Sequence, residues 1–143
     1  MSQEQTIRNA VVTALQAISG MTSKVVIGRP ATLTEGPSPP VIWVAVGDIG
    51  DEFGPDLPSY QTRLTLDLVC VAAATDSTPE ARENASLDLM TSIRAAVRAV
   101  APSGIALLQA PLCEVAVRLE AMSSSGMPAI VGAAQFLYLS EVS

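Results

Sequence analysis

The sequence predicts an α+β domain: a single mixed, mainly antiparallel sheet of about six strands with two helices packed on one face. Three observations predict it. Two segments, 3–18 and 79–100, repeat apolar residues at helical spacing. Several others alternate, or are apolar throughout, over the length of a strand. The helices interrupt runs of strands short enough to be joined by hairpins, which gives the order α-β-β-β-α-β-β-β.

In the first helix, Ile7, Ala10, Val11, Ala14, Leu15 and Ile18 share one face. Ser2 is its cap, Gln5 completes a capping box, and Gly20 stops it. Val25, Val26 and Ile27 make a short β-branched strand. The loop that follows holds Pro37, Pro39 and Pro40, which exclude a helix. The next strand, 41–46, is apolar on both faces, so it is either central in the sheet or covered by a partner.

Residues 47–58 read as a loop, because Gly47, Gly50, Gly54, Pro55 and Pro58 punctuate them. Residues 60–73 are a long strand. Leu64, Leu66, Leu68 and Cys70 face one way; Arg63, Thr65 and Asp67 face the other. The second helix has Thr78 as cap and Pro79 at its first position. Leu89, Met90, Ile93, Ala96, Val97 and Val100 form its buried stripe, and Leu87 falls outside it. Glu80 and Glu83 complement the start of the helix dipole, Arg94 and Arg98 its end. Three strands remain, at 105–108, 112–121 and about 130–142, with a Ser/Gly/Pro hairpin loop at 123–128 between the last two.

The chain of 143 residues carries enough apolar material, 49%, for one compact domain spanning 1–143. There is no histidine, which removes His-based triads, His-led zinc sites and His proton relays. Cys70 and Cys113 both fall in the apolar register of a strand and read as small hydrophobes. Fourteen acids against eight basic residues give a net charge of −6, which argues against a nonspecific grip on nucleic acid or an anionic membrane. No apolar run approaches about 18 residues, so no transmembrane helix is expected. The polar, acidic start at 1–5 does not read as a secretory signal, and a soluble, cytoplasmic chain is the expectation.

The densest polar cluster is Asp48, Asp51, Glu52 and Asp56, four acids within nine residues. Its plain reading is a solvated loop. Its functional readings are a subunit contact, the lining of a channel, or a site for a hard divalent cation. The glycines among these acids do not have phosphate-loop spacing, and the lysine is missing. Trp43, the only tryptophan, reads as a core anchor or as an interface anchor. Arg63, on the polar face of the long strand, and Leu87 complete the subunit-interface or channel-lining candidates. No catalytic, cofactor-binding or metal-ligating residue is assigned.

The succession of elements is that of a known family. An amphipathic opening helix leads to a short strand ending in Gly28-Arg29-Pro30. A proline-rich gap leads to Pro40-Val41-Ile42-Trp43-Val44 and Gly47-Asp48. The acidic segment, the long strand Arg63-Leu64-Thr65-Leu66-Asp67-Leu68-Val69, a second amphipathic helix and a closing Phe136-Leu137-Tyr138-Leu139 follow. Over nearly the whole chain this resembles the tail terminator (tail completion, minor tail protein U-like) proteins of long-tailed bacteriophages. The resemblance implies a structural virion protein with no enzymatic activity and no cofactor. Such a protein forms a ring, usually of six copies, on the last ring of the tail tube, stops tube growth and presents a surface to the head-side connector. Its implied partners are itself, the tail tube protein and the head–tail connector protein. DNA passes through the channel without specific binding, and no membrane is involved. The implied location is the virion, in tail or neck, with assembly in the host cytoplasm. Three other readings compete: a different neck component, such as a head–tail joining or head-closure protein; a small carboxylate- and metal-dependent enzyme; and a cytosolic homo-oligomer with no phage link.

Overall fold

A computed structural model describes residues 1–33, 35–52, 61–122 and 126–140. The elements are α1 (Gln3–Gln16), β1 (Val25–Ile27), β2 (Val41–Glu52), β3 (Gln61–Val71), α2 (Pro79–Arg98), β4 (Leu112–Met122) and β5 (Pro128–Leu139). The five strands form one sheet in the order β1-β2-β3-β5-β4. β1 runs parallel to β2, and every other pairing is antiparallel.

Both helices begin as their sequences dictate. Ser2 Oγ accepts from the Gln5 amide at 3.1 Å while Gln5 Oε1 accepts from the Ser2 amide at 2.9 Å, a complete capping box. Thr78 Oγ1 accepts from the Ala81 amide at 3.2 Å, with Pro79 at the start of α2. α1 buries Ile7, Val11, Val12 and Leu15; α2 buries Ser86, Leu89, Ile93 and Val97. All of these but Ser86 join the core on the sheet face that carries Leu64, Leu66, Leu68 and Cys70, each fully buried on the alternating β3 strand. Each such side chain taken from water contributes about 1.5–3 kcal/mol. Ile130, Ala134, Phe136 and Tyr138 of β5 complete this core.

Several boundaries differ from expectation; β3 and β5, expected at 60–73 and about 130–142, are Gln61–Val71 and Pro128–Leu139. The sheet has five strands, because residues 105–108 form only an isolated bridge, Leu107 to Tyr138, with Leu108 N donating to Leu137 O at 2.8 Å. Pro111 has no N–H with which to carry that pairing on into β4. β2 continues to Glu52, so the first part of the expected 47–58 loop is strand. α1 and α2 stop at Gln16 and Arg98, short of the ends that periodicity suggests. Ser123, Ser124 and Ser125 of the expected hairpin loop lie outside the described residues.

Among the described residues, the chain itself covers the far face of the sheet at one corner. Val41 and Trp43 point away from the helices, and both are buried. The proline-rich segment between β1 and β2 lies over them: a side chain at Gly36 would sit 3.7 Å from Trp43 Nε1. The two-sided apolar stretch at the start of β2 is thus satisfied within one chain, between β1 and β3.

Candidate functional site

The sequence candidates fall in three places. Asp48, Asp51 and Glu52 lie on the outer half of β2, and Arg63 lies opposite Gly50 on β3. Asp56 lies outside the described residues. Trp43 stands at the inner end of the same β2 strand and is 3% exposed, so it serves the core. Leu87 is on α2, remote from the acidic hairpin, and is 48% exposed.

The shape of the β2–β3 ladder has a local cause. The ladder slips by one residue between Val46 and Asp48, a bulge centred on Gly47. A Cβ at position 47 would lie 2.5 Å from Asp67 Oδ1, so only glycine leaves room for that carboxylate. Asp67 is in turn held by Arg29, whose Nη2 donates to Asp67 Oδ2 at 2.6 Å and to the Val46 carbonyl at 3.2 Å. Further out, Thr62 Oγ1 donates to Asp51 Oδ1 at 2.8 Å and shares a hydrogen bond with Ser140. Arg63 Nη2 stands 3.9 Å from Asp48 Oδ2, with both side chains open to water. Exposed pairs of this kind contribute about 0–1 kcal/mol. Val46 and Ile49 are exposed apolar residues among these charges.

The opposite margin carries features that the sequence reading did not single out. β4 is an edge strand, bonded to β5 alone. Gly132 of β5 lets it approach closely, since a side chain there would meet the Glu114 carbonyl and Val115. Leu112 of β4 is 53% exposed, and Leu108 and Val117 are exposed nearby. A groove of about 410 Å³ between α2 and the end of β4 is lined by Ser86, Leu87, Met90, Val117 and Pro128, among others. The Ser86 hydroxyl is buried there without a hydrogen-bond partner. Arg94 and Arg98, read from sequence as partners of the helix dipole, act electrostatically on Cys113 of β4. No run of residues in the sequence signals this margin, because its exposure follows from the strand order.

Chemically, both sites are surfaces. Burial pushes the Cys70 thiol far up, and Cys113 adds to the shift. Burial also raises Cys113, with Arg94 and Arg98 opposing. Neither thiol is therefore held as a thiolate nucleophile. Among the described residues no group of three or more Asp, Glu or Cys is arranged to hold a metal ion. Among them, too, no helix is long and apolar enough to cross a membrane.

Comparison with protein-family models finds no match, and comparison with the curated proteins finds none. Among solved structures, a chain of the "Virion of native gene transfer agent (GTA) particle" has the same fold. It aligns with a TM-score of 0.56 and 13% identity, over 96% of this chain and 95% of that chain.

Proposed function

We propose that this chain is a structural protein of a phage-like virion and, within that class, a tail terminator. It forms a ring on the end of the tail tube, ends tube polymerisation and offers the interface to the head-side connector. The observation that supports this reading is the end-to-end fold likeness to a chain of a gene transfer agent virion. The order of elements that resembles the tail terminators points the same way. An acidic chain also suits the task, because repulsion between free copies delays association until a tube end supplies a template.

Native mass measurement and negative-stain imaging of the purified chain, with and without tail tubes, test the proposal. Rings seated on tube ends are the expected result. Monomers that ignore tubes would overturn it, and binding to purified heads in place of tubes would turn the assignment to a head-closure or joining protein.

A further inference from the structure

β4 is an edge strand of 11 residues, whereas β1 at the other edge has 3. An open edge of that length is a template for another strand. From Leu112 to Arg118 the pairing with β5 is regular, so the side chains alternate between the two faces. Val115 and Val117 stand on the helix side, opposite Gly132 and the core residue Ile130. Glu114, Ala116 and Arg118 stand on the other face, opposite Ala133, Val131 and Ala129.

Glu114 and Arg118 are exposed, and neither has an ion-pair partner among the described residues. Four residues apart on one strand, they are separated by about 13 Å and do not reach each other. Charges on an edge strand ordinarily keep other strands away. These two are spaced to admit one strand in particular, which is β4 of a second copy running the opposite way. With Ala116 opposite Ala116 of that copy, Glu114 lies opposite its Arg118, and Arg118 opposite its Glu114. All four side chains are then on one face, with a small residue between the pairs. On the helix side Val117, 37% exposed in the single chain, lies opposite Val115 of the copy. The charges also select this register. With Val115 on the axis instead, Glu114 would face Ala116 and Arg118 would face Leu112, and both ion pairs would be lost.

The flank of α2 above this edge has the same symmetry. Glu80, Glu83, Leu87, Thr91, Arg94 and Arg98 share one exposed stripe, acids first and cations last. Leu87, Thr91 and Arg94 line a groove of about 660 Å³ together with β4, so the stripe borders the open strand. A two-fold axis at Ala116 sets two such helices antiparallel, the acidic end of each toward the cationic end of the other.

We propose that free copies of this chain associate in pairs through β4, antiparallel about a two-fold axis at Ala116, so that two sheets join into one. A patch that pairs with itself closes at two copies, whereas a ring needs contacts between two different patches. This contact is therefore separate from any ring contact, and it does not rest on the tail-terminator reading.

Sedimentation equilibrium of the purified chain, without tail tubes, tests the contact. The wild type is expected to be dimeric. Glu114→Arg sets cation against cation at both pairs, and Arg118→Glu sets acid against acid. Each alone is expected to weaken dimerisation by about tenfold or more, with the circular dichroism of the fold unchanged. An equal mixture of the two variants restores both opposite-charge pairs, one copy supplying the cations and the other the acids, and is expected to dimerise as the wild type does. As a second measurement, in a Cys113→Ala background, Ala116→Cys is expected to give a disulfide-linked dimer on mild oxidation. Leu112→Cys is also exposed but would stand about 27 Å from its mate across the axis, and should give none. A monomeric wild type would overturn the proposal. So would single variants that dimerise like the wild type, a mixture that stays monomeric, or a covalent dimer from Leu112→Cys and none from Ala116→Cys.

Discussion

The two halves of β2 share one strand and one ladder to β3, yet they live in different environments. From Val41 to Val44 every side chain is buried, with α-helices on one side and the proline-rich segment on the other. From Val46 to Asp51 the side chains are mostly open to water, held by a bulge and by the contacts of Arg29, Thr62 and Arg63. Backbone pairing runs unbroken from core to solvent except at Gly47, while the energy does not. The inner half holds the domain together; the outer half is a surface displayed by it.

Substitutions at the two ends of the strand sharpen this contrast most. Trp43→Ala empties the corner beneath the proline-rich segment and is expected to cost about 3–5 kcal/mol in denaturant unfolding. Ile49→Ala, on the same strand, is expected to stay within about 0.5 kcal/mol. Equal costs would break the division between the halves. Gly132→Ala forces a methyl onto the β4 backbone and is expected to cost about 1–3 kcal/mol, read in the same assay.

Alkaline titration separates the regions by a different route. Burial keeps the Cys70 thiol and the Tyr138 phenol protonated in the fold, the phenol helped by its hydrogen bond to Glu4. In the unfolded chain they release protons near their ordinary values, about 8.5 and 10. Their stabilising contribution is therefore full below about pH 8.5 and is lost as pH rises beyond it. Thermal midpoints measured from pH 7 to 11 should fall along that course. Cys70→Ala, in the inner region, should flatten the first part of the fall, and Asp48→Asn should leave it unchanged.

Smaller effects follow. Ser86→Ala removes a buried hydroxyl with no partner and is expected to stabilise the chain by about 1 kcal/mol. Arg29→Ala breaks an exposed pair and is expected to cost about 1 kcal/mol or less, with the difference shrinking in high salt.

Much of this architecture was legible in the sequence because its signals are local. Ser2 with Gln5, and Thr78 with Pro79, mark the helix starts through hydrogen bonds spanning three residues. The alternation from Leu64 to Cys70 marks a half-covered strand. What was missed depends on distant partners. Gly47, Asp48 and Gly50 look like a loop when taken alone, yet β3 supplies a partner for that backbone and Asp67 claims the space beside Gly47. Residues 105–108 have strand composition, but only one bridge forms before Pro111. Trp43 was open to two readings until the segment that covers it was placed. The acidic residues were visible as a candidate surface, whereas the β4 margin was not, because its exposure follows from strand order rather than from any run of residues.

The burial of both cysteines, in a chain without histidine, has a consequence for control. No side chain has an ordinary pKa between about 5 and 8, so acidification across the neutral range leaves the surface charge nearly fixed. Attraction between exposed groups such as Arg63 and Asp48 is instead set by counterions, whose screening distance is about 8 Å in physiological salt. Ionic strength, and not acidity, is the dial to which such a surface answers.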